Sequence, residues 1–294
     1  YVSESMLAYL AADLPARAAD QQEWSLADLY RREQMQLLHH LVGLLPPALV
    51  AARPALLMLQ GWLAELRSQW AIMHQCAEEA ARLLESSVAP AGPTPAQTVW
   101  GEIYAARSYY LLSGATLAQQ QVAAEQALAL LPADHIQGRG FALINLARIY
   151  RWQGRLAEAE RLLEQAVDAQ GLHPHAITLR LLNALALHHM YTLQLDQAAR
   201  VGQLHLALAG ESGLKLSEGF AHSLLGIVAC LRTQLDQADD HFTANAAALQ
   251  TVRASVSLAQ IYLYILLAGS GSAERRQAIV AVLDRLHCLA RQQG

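Results

Sequence analysis

The apolar positions of the chain are mostly Ala and Leu, set among Gln and Arg, and they never form a run of alternating β-branched residues. With only nine Pro in 294 residues, this pattern predicts helices throughout and no strands. Two helices are predicted first, at 4–18 and 24–44. Helical hairpins are then predicted at 53–67 with 70–87, 97–113 with 115–131, 137–152 with 155–169, 175–192 with 195–209, and 215–232 with 235–250, before a closing pair at 253–268 and 272–292.

The string QLDQA occurs twice, at 194–198 and at 234–238, and the related RLAEA stands at 155–159. The last alanines of the three strings are Ala159, Ala198 and Ala238, so they are spaced by 39 and 40 residues. Recurrence at such a period indicates one structural unit repeated along the chain. We interpret each string as the turn and helix start of a repeating helical hairpin.

The clearest copy of the repeat is NLARIYRWQGRLAEAERLLEQAV at 145–167. Ala147, Ala159 and Ala166 are small enough to let two antiparallel helices approach, and Tyr150 fills the groove between them. Gly154 suits the backbone of a tight turn between helices. The sequence therefore predicts an all-α fold, an α-solenoid superhelix of tetratricopeptide-like helical hairpins.

This pattern divides the chain into three predicted parts. Residues 1–45 form N-terminal helices that lead into the array, 46–252 hold the repeats, and 253–294 form a C-terminal helical pair. The Pro-rich stretch SSVAPAGPTP at 86–95 is the one linker-like segment, and it lengthens the repeat in which it lies.

Charge and composition exclude several kinds of partner. The net charge of −4, without blocks of Lys or Arg, argues against direct binding of nucleic acid or an anionic membrane. The most apolar run, at 258–269, is too short to cross a bilayer. Cys76, Cys230 and Cys288 are widely spaced in apolar helical text, as expected for reduced core thiols of a cytoplasmic protein. The chain opens at Tyr1, which suggests a piece of a longer protein.

The motifs of catalytic chemistry do not occur in the sequence. Lys215, the sole lysine, has Leu on both sides and cannot belong to a phosphate-binding loop. His188 and His189 are adjacent, so on a helix they point about 100° apart and cannot share a metal ion without a third ligand. We expect these histidines, and His173 and His175, to be structural or solvated. The segment is predicted to be no enzyme and to hold no metal and no cofactor.

A binding surface is predicted on the first helices of the hairpins, which line the concave side of such an array. Arginine suits carboxylates and phosphates, and Trp or Tyr suits sugars, rings and peptide side chains. The candidates are Glu102, Tyr109, Arg148, Arg151, Trp152, Arg180, Asn183, Tyr191 and His222. The alternative is structural: Tyr109 and Trp152 pack between repeats, and Arg148 pairs with a carboxylate.

A family resemblance extends this picture. The repeats resemble tetratricopeptide units, and LLHHLVGLLPPALVAARPALLMLQGWLAEL at 37–66 resembles the text that opens the repeat region of MalT-like, ATP-dependent LuxR-type transcription regulators. Leu44, Leu45 and Pro46 stand for that family's Leu-Pro. Arg53–Pro54 stand for its Arg-Pro, and Gly61–Trp62 for its Ala-Trp. The usual Trp before Leu-Pro is replaced here by Leu41 or Val42. The resemblance covers residues 24–250.

The resemblance implies a sensor region that binds an inducer, such as an oligosaccharide, and thereby favours a DNA-binding state of the parent regulator. ATP would bind only in an N-terminal domain of that parent, and DNA only through its C-terminal helix-turn-helix. The predicted function is therefore effector sensing and contact with neighbouring domains, in the cytoplasm and away from membranes. The alternative is a free-standing tetratricopeptide-type adaptor that binds a partner protein or peptide.

Overall fold

The computed structural model describes residues 2–67, 69–86, 92–109, 115–171, 173–251, 277 and 280. Within these ranges the regular structure is helical and no strand occurs. Contacts divide the chain into two compact units, residues 1–159 and 160–294. The predicted all-α fold of tetratricopeptide-like hairpins is confirmed for the described part of the chain, and the domain limits at 45 and 252 stay predictions.

Unit 1 begins with four helices and continues with paired ones. Its helices are α1 (Val2–Ala11), α2 (Pro15–Arg31), α3 (Met35–Gly43), α4 (Pro47–Ala51), α5 (Pro54–Leu66), α6 (Trp70–Glu85), α7 (Ala96–Arg107), α8 (Leu117–Leu130) and α9 (Ile136–Trp152). α5 pairs with α6, and α7 pairs with α8. The first helices of successive hairpins also touch, α5 against α7 and α7 against α9, as expected for stacked repeats.

Unit 2 repeats the same arrangement. Its helices are α11 (Ala176–Tyr191), α12 (Leu195–Ser212), α13 (Lys215–Leu231) and α14 (Leu235–Thr251), and the limit between the units falls inside α10 (Leu156–Ala169). α11 pairs with α12 and α13 with α14, while α12 and α11 both contact α13. Each hairpin therefore buries its apolar faces against its neighbour in sequence.

The repeated string marks a helix-ending turn. Gly154 has φ of +79°, and the equivalent residues Leu193 and Thr233 have φ of +61° and +62°. In each turn the next N–H donates to a carbonyl five residues earlier, as Gln194 N does to His189 O at 2.8 Å. This is the left-handed helix end that glycine usually occupies. The predicted role of Gly154 is confirmed.

Small residues bring the paired helices together, as the sequence indicated. Ala159, Ala198 and Ala238 are buried. A Cβ added at Gly226 would lie 2.8 Å from the Phe242 ring. A side chain at this position would therefore push α13 and α14 apart.

The first two predicted helices were wrong in their limits. Asp13 has φ of +57° and Pro15 opens a new helix, so the predicted helix 4–18 is broken into α1 and α2. Glu33, with φ of +52°, likewise ends α2 and separates it from α3 inside the predicted 24–44. A residue in the left-handed region cannot continue a right-handed helix.

The Arg-Pro pair at 53–54 is the centre of a buried polar network. The Arg53 Nη1 donates to Asp20 Oδ1 at 2.6 Å and to Glu23 Oε1 at 3.1 Å. The other Glu23 oxygen accepts from the backbone N–H and the hydroxyl of Thr94, at 3.3 and 2.7 Å. Pro54 starts α5, where its missing N–H costs nothing. This network ties α2, α5 and the segment before α7 together.

Several other predictions find a place in the structure. Cys76 and Cys230 are buried free thiols, and burial raises the pKa of Cys230 to about 12, so neither forms a ready thiolate. Cys288 and the pair 253–268 and 272–292 lie outside the described residues, apart from single positions. In the described ranges, no helix has both the length and the apolarity to span a membrane.

Candidate binding surface

Two predicted site residues lie on one face of α9. Arg148 and Trp152 are four residues apart, so they are neighbours on the helix surface. The Arg148 guanidinium carbon is 5.5 Å from the centre of the Trp152 ring and 5.1 Å from that of Tyr109. Both distances are within the range of cation–π attraction.

A residue missed by the sequence analysis completes the group. Trp70, the first residue of α6, stacks on Tyr109 with the ring centres 4.8 Å apart and the planes 18° apart. Trp70, Tyr109, Arg148 and Trp152 together form what we call the aromatic–arginine cluster. Nothing in the spacing marked Trp70, because it begins a second helix of a hairpin and not a first one.

Backbone and side-chain hydrogen bonds hold the cluster in place. The Arg148 Nη2 donates to the carbonyl of Ser108 at 3.3 Å, next to Tyr109. Asn145, one turn earlier on α9, donates to the Ser108 hydroxyl at 2.7 Å, and that hydroxyl donates to Ala105 O at 2.6 Å. The end of α7 is thus fixed against α9, and these hydrogen bonds hold the rings and the guanidinium in place.

The cluster offers a cation and aromatic faces at one place on unit 1. Trp152 keeps 40% of its surface exposed, while Trp70, Tyr109 and Arg148 are half-buried. Indole and phenol faces bind sugar rings and apolar or cationic groups, and a guanidinium binds carboxylates and phosphates. Arg151, also half-buried, adds a second positive charge on the same last turn of α9.

Glu102 does not lie on this surface. It is 2% exposed, and its Oε1 lies 3.2 Å from Nε2 of His135. The prediction placed Glu102 at an exposed position of a first helix. In the structure Glu102 lies on α7, and its side chain points into the interior towards the start of α9. Burial alone would lower the pKa of His135, whereas the hydrogen bond to Glu102 and the charge of Glu102 outweigh burial and raise it.

Unit 1 also has a cleft of about 470 Å³ between α6, α7 and α8. Its rim carries a two-pronged ion pair, in which Arg107 donates to both oxygens of Glu78 at 2.9 Å. This hydrogen bonding lowers the pKa of Glu78. Val122, 52% exposed, and Ala118 supply an apolar wall. The sequence analysis did not identify this cleft.

The predicted residues of unit 2 lie on α11 and α13. Arg180 lies 6.0 Å from the centre of the Phe220 ring, and Asn183 is half-buried on the same helix, α11. Tyr191, at the end of α11, is 48% exposed. His222 of α13 instead meets His241 of α14, a contact that no sequence motif signals.

His188 and His189 lie at the side of α10, where both approach the carboxylate of Glu160. The distances are 3.9 Å from His188 Nε2 and 3.6 Å from His189 Nδ1. Burial lowers the pKa of His189 against the opposing charge of Glu160. In the described part of the chain no three His, Cys, Asp or Glu side chains are grouped as a metal site.

Comparison with known families agrees with the repeat found in the structure. A tetratricopeptide repeat model matches residues 142–170. A search of curated protein sequences finds no match to the chain. The matched segment contains Arg148, Arg151 and Trp152. The chain thus carries a repeat of the tetratricopeptide type, a class that generally mediates protein interactions.

Proposed function

We propose that the chain is a binding module whose recognition surface in unit 1 is the aromatic–arginine cluster. The observation that carries the proposal is the placement of Arg148 between the Tyr109 and Trp152 rings, with Trp152 partly exposed. Pre-positioned aromatic and arginine side chains are the groups that dominate binding energy at recognition surfaces.

We further propose that the module is the effector-sensing region of a MalT-like transcriptional regulator, with a small inducer as its ligand. The resemblance at 37–66 supports this proposal, because the residues that carry it have defined structural roles here. Arg53 anchors the buried network, and Trp62, 1% exposed, stacks on Phe141 at 4.7 Å. An inducer would act by favouring one arrangement of the parent protein over another.

Direct binding tests the surface. The ligands are a panel of short linear oligosaccharides and short peptides with a free carboxylate, titrated into the full chain by calorimetry and tryptophan fluorescence. We expect Trp152→Ala and Arg148→Gln each to weaken binding by about tenfold or more. Trp24→Ala is the matched control, since Trp24 is 65% exposed on α2. Equal affinity in all three variants would contradict the proposed surface.

The second candidate function is an adaptor that binds a partner peptide. Two observations favour it. One is the tetratricopeptide match over 142–170, and the other is the cleft of about 470 Å³ between α6, α7 and α8, where an apolar wall lies beside an ion pair. Ligand size separates the two functions. Binding of peptides but of no oligosaccharide, lost on Val122→Asp and kept on Trp152→Ala, would identify the adaptor.

A further inference from the structure

In the described part of unit 2, two histidine side chains from neighbouring helices contact each other. His222 of α13 and His241 of α14 place their Nδ1 atoms 3.0 Å apart, with the ring centres separated by 5.3 Å. α13 and α14 form one hairpin and pack directly on each other. Both side chains are half-buried, so the pair is reachable from solvent and held by the fold.

We propose that His222 and His241 are the two nitrogen ligands of a site for a divalent transition-metal ion with tetragonal geometry, Cu²⁺ or Ni²⁺. The site would connect α13 to α14. It lies in unit 2 and does not depend on the function proposed for the aromatic–arginine cluster.

The nitrogen spacing is compatible with this geometry. Imidazole nitrogens bind such ions at about 2.0–2.1 Å, so two ligands at right angles are about 2.9 Å apart and two at a tetrahedral angle about 3.3–3.4 Å. The observed 3.0 Å, which is also the length of an N–H···N hydrogen bond, is nearer to the right-angle spacing of a square or tetragonal ion. Among divalent ions, that arrangement of nitrogen ligands is typical of copper and nickel, and copper binds such ligands most tightly.

A metal ion binds the neutral imidazole, in which one ring nitrogen carries a lone pair. The two facing Nδ1 atoms are therefore the atoms that would coordinate the ion. Without an ion the two rings share one N–H···N hydrogen bond.

The surroundings indicate an exchangeable ion and not a permanently buried one. Glu218 lies four residues before His222, on the same face of α13, and its charge favours a cation nearby. It is the only carboxylate on α13, and it accepts from Lys215 at 2.6 Å. Because no third His, Cys, Asp or Glu joins the pair among the described residues, water would fill the other positions.

Titration of the full chain with Cu²⁺ in a non-chelating buffer tests the proposal. Calorimetry measures affinity, and electron paramagnetic resonance counts coordinating nitrogens. We expect one site with two imidazole nitrogens, and loss of affinity on the order of 100-fold in His222→Gln and in His241→Gln, because a chelating pair becomes a single ligand. Circular dichroism checks that the variants stay helical.

His39→Gln with His40→Gln is the matched control, since these two exposed histidines are also neighbours on a helix but belong to α3. The control should keep the site intact. A His222→Gln/His241→Gln double variant that binds Cu²⁺ as tightly as the parent chain, or a spectrum with a single coordinating nitrogen, would overturn the proposal. Ni²⁺ is expected to bind at the same residues more weakly than Cu²⁺.

Discussion

The two units place ionisable groups inside the protein in different ways. Unit 1 buries charges with partners: Arg53 lies between Asp20 and Glu23, and His135 faces Glu102. Unit 2 buries histidines. His205 is 1% exposed, and its two ring nitrogens have no hydrogen-bond partner among the described residues. Burial lowers its pKa to about 3, so it is neutral in the fold.

This difference makes the stability of the two units respond to different changes. A buried charge destabilises the fold when its partner is removed. A buried neutral imidazole destabilises the fold when the pH falls, because the unfolded chain then binds a proton that the folded chain excludes. The two responses can be measured separately. All five tryptophans precede residue 160, so tryptophan fluorescence follows unit 1, while circular dichroism follows the helices of both units.

The largest expected effect is the loss of the buried guanidinium. Arg53→Met leaves Glu23, whose side chain is 1% exposed, as an uncompensated buried carboxylate. Breaking a buried ion pair from one side costs about 3–5 kcal/mol. Urea unfolding followed by tryptophan fluorescence should therefore show a strong loss of stability in unit 1.

Arg82→Met is the matched control for this measurement. Arg82 pairs with Glu79 on the surface, where the arginine side chain is 66% exposed. An exposed pair contributes about 0–1 kcal/mol, so the control should be nearly silent. A similar loss in Arg53→Met and Arg82→Met would show that the network around Arg53 is not a special feature of unit 1.

The second prediction concerns acid. The pKa of His205 is lowered on folding, so the unfolded chain binds the extra proton. Stability is complete above the unfolded pKa of about 6.5 and falls as pH drops from there towards 3, by up to about 1.4 kcal/mol per pH unit. Thermal unfolding followed by circular dichroism between pH 7 and pH 5 measures this slope. His205→Leu should reduce it and stabilise the protein at pH 5.

The third prediction has the opposite sign and a smaller size. The pKa of His135 is raised on folding, so the Glu102 pair stabilises unit 1 below the unfolded pKa and this contribution is lost as pH rises through the raised value. The Nδ1 of His135 also accepts from Gly138 N at 3.3 Å, a longer and neutral contact that the carboxylate outweighs. Glu102→Gln should remove this pH dependence in fluorescence-monitored unfolding. An unchanged profile would contradict it.

The smallest expected effect sharpens the comparison of the turns. Gly154 occupies the left-handed position in one repeat, but Leu193 and Thr233 occupy it in two others. Side chains there are strained, so Leu193→Gly and Thr233→Gly should each stabilise the chain by about 0.5–1 kcal/mol in chemical unfolding. Gly154→Ala should have the opposite effect. Destabilisation by both glycine substitutions would show that their side chains contribute more than the strain costs.

The sequence predicted the repeating hairpins well because small buried residues recur at a regular spacing. Gly154 predicts a turn because glycine favours the left-handed backbone. Leu193 does not, and its turn could be predicted only by aligning its repeat with the one that contains Gly154. Glu33 also takes the left-handed position, and Gln34 N donates to Leu29 O at 2.9 Å as in the repeat turns. A glutamate does not signal such a turn, so the break between α2 and α3 was missed.

The candidate site was predicted in part for the same reason. Tyr109, Arg148 and Trp152 share the register of first helices, and the structure brings them together. Trp70 and His241 come from second helices. The repeat alignment does not predict which side chains of a second helix contact residues of a neighbouring helix. Glu102 fits the repeat alignment, but its side chain points inward and pairs with His135. A local sequence pattern cannot predict a partner that is 33 positions away.

The contact between Glu23 and Thr94 has a consequence for synthesis on the ribosome. Each hairpin turn closes through residues five positions apart, so it can form as soon as its helix has emerged. The second carboxylate oxygen of Glu23 can accept its hydrogen bond only after Thr94, 71 positions later, has been synthesised. The contacts of the nascent N-terminal helices are therefore complete only after α5 and α6 have been made. A chain released before that point has a buried carboxylate that lacks its hydrogen bonds from Thr94.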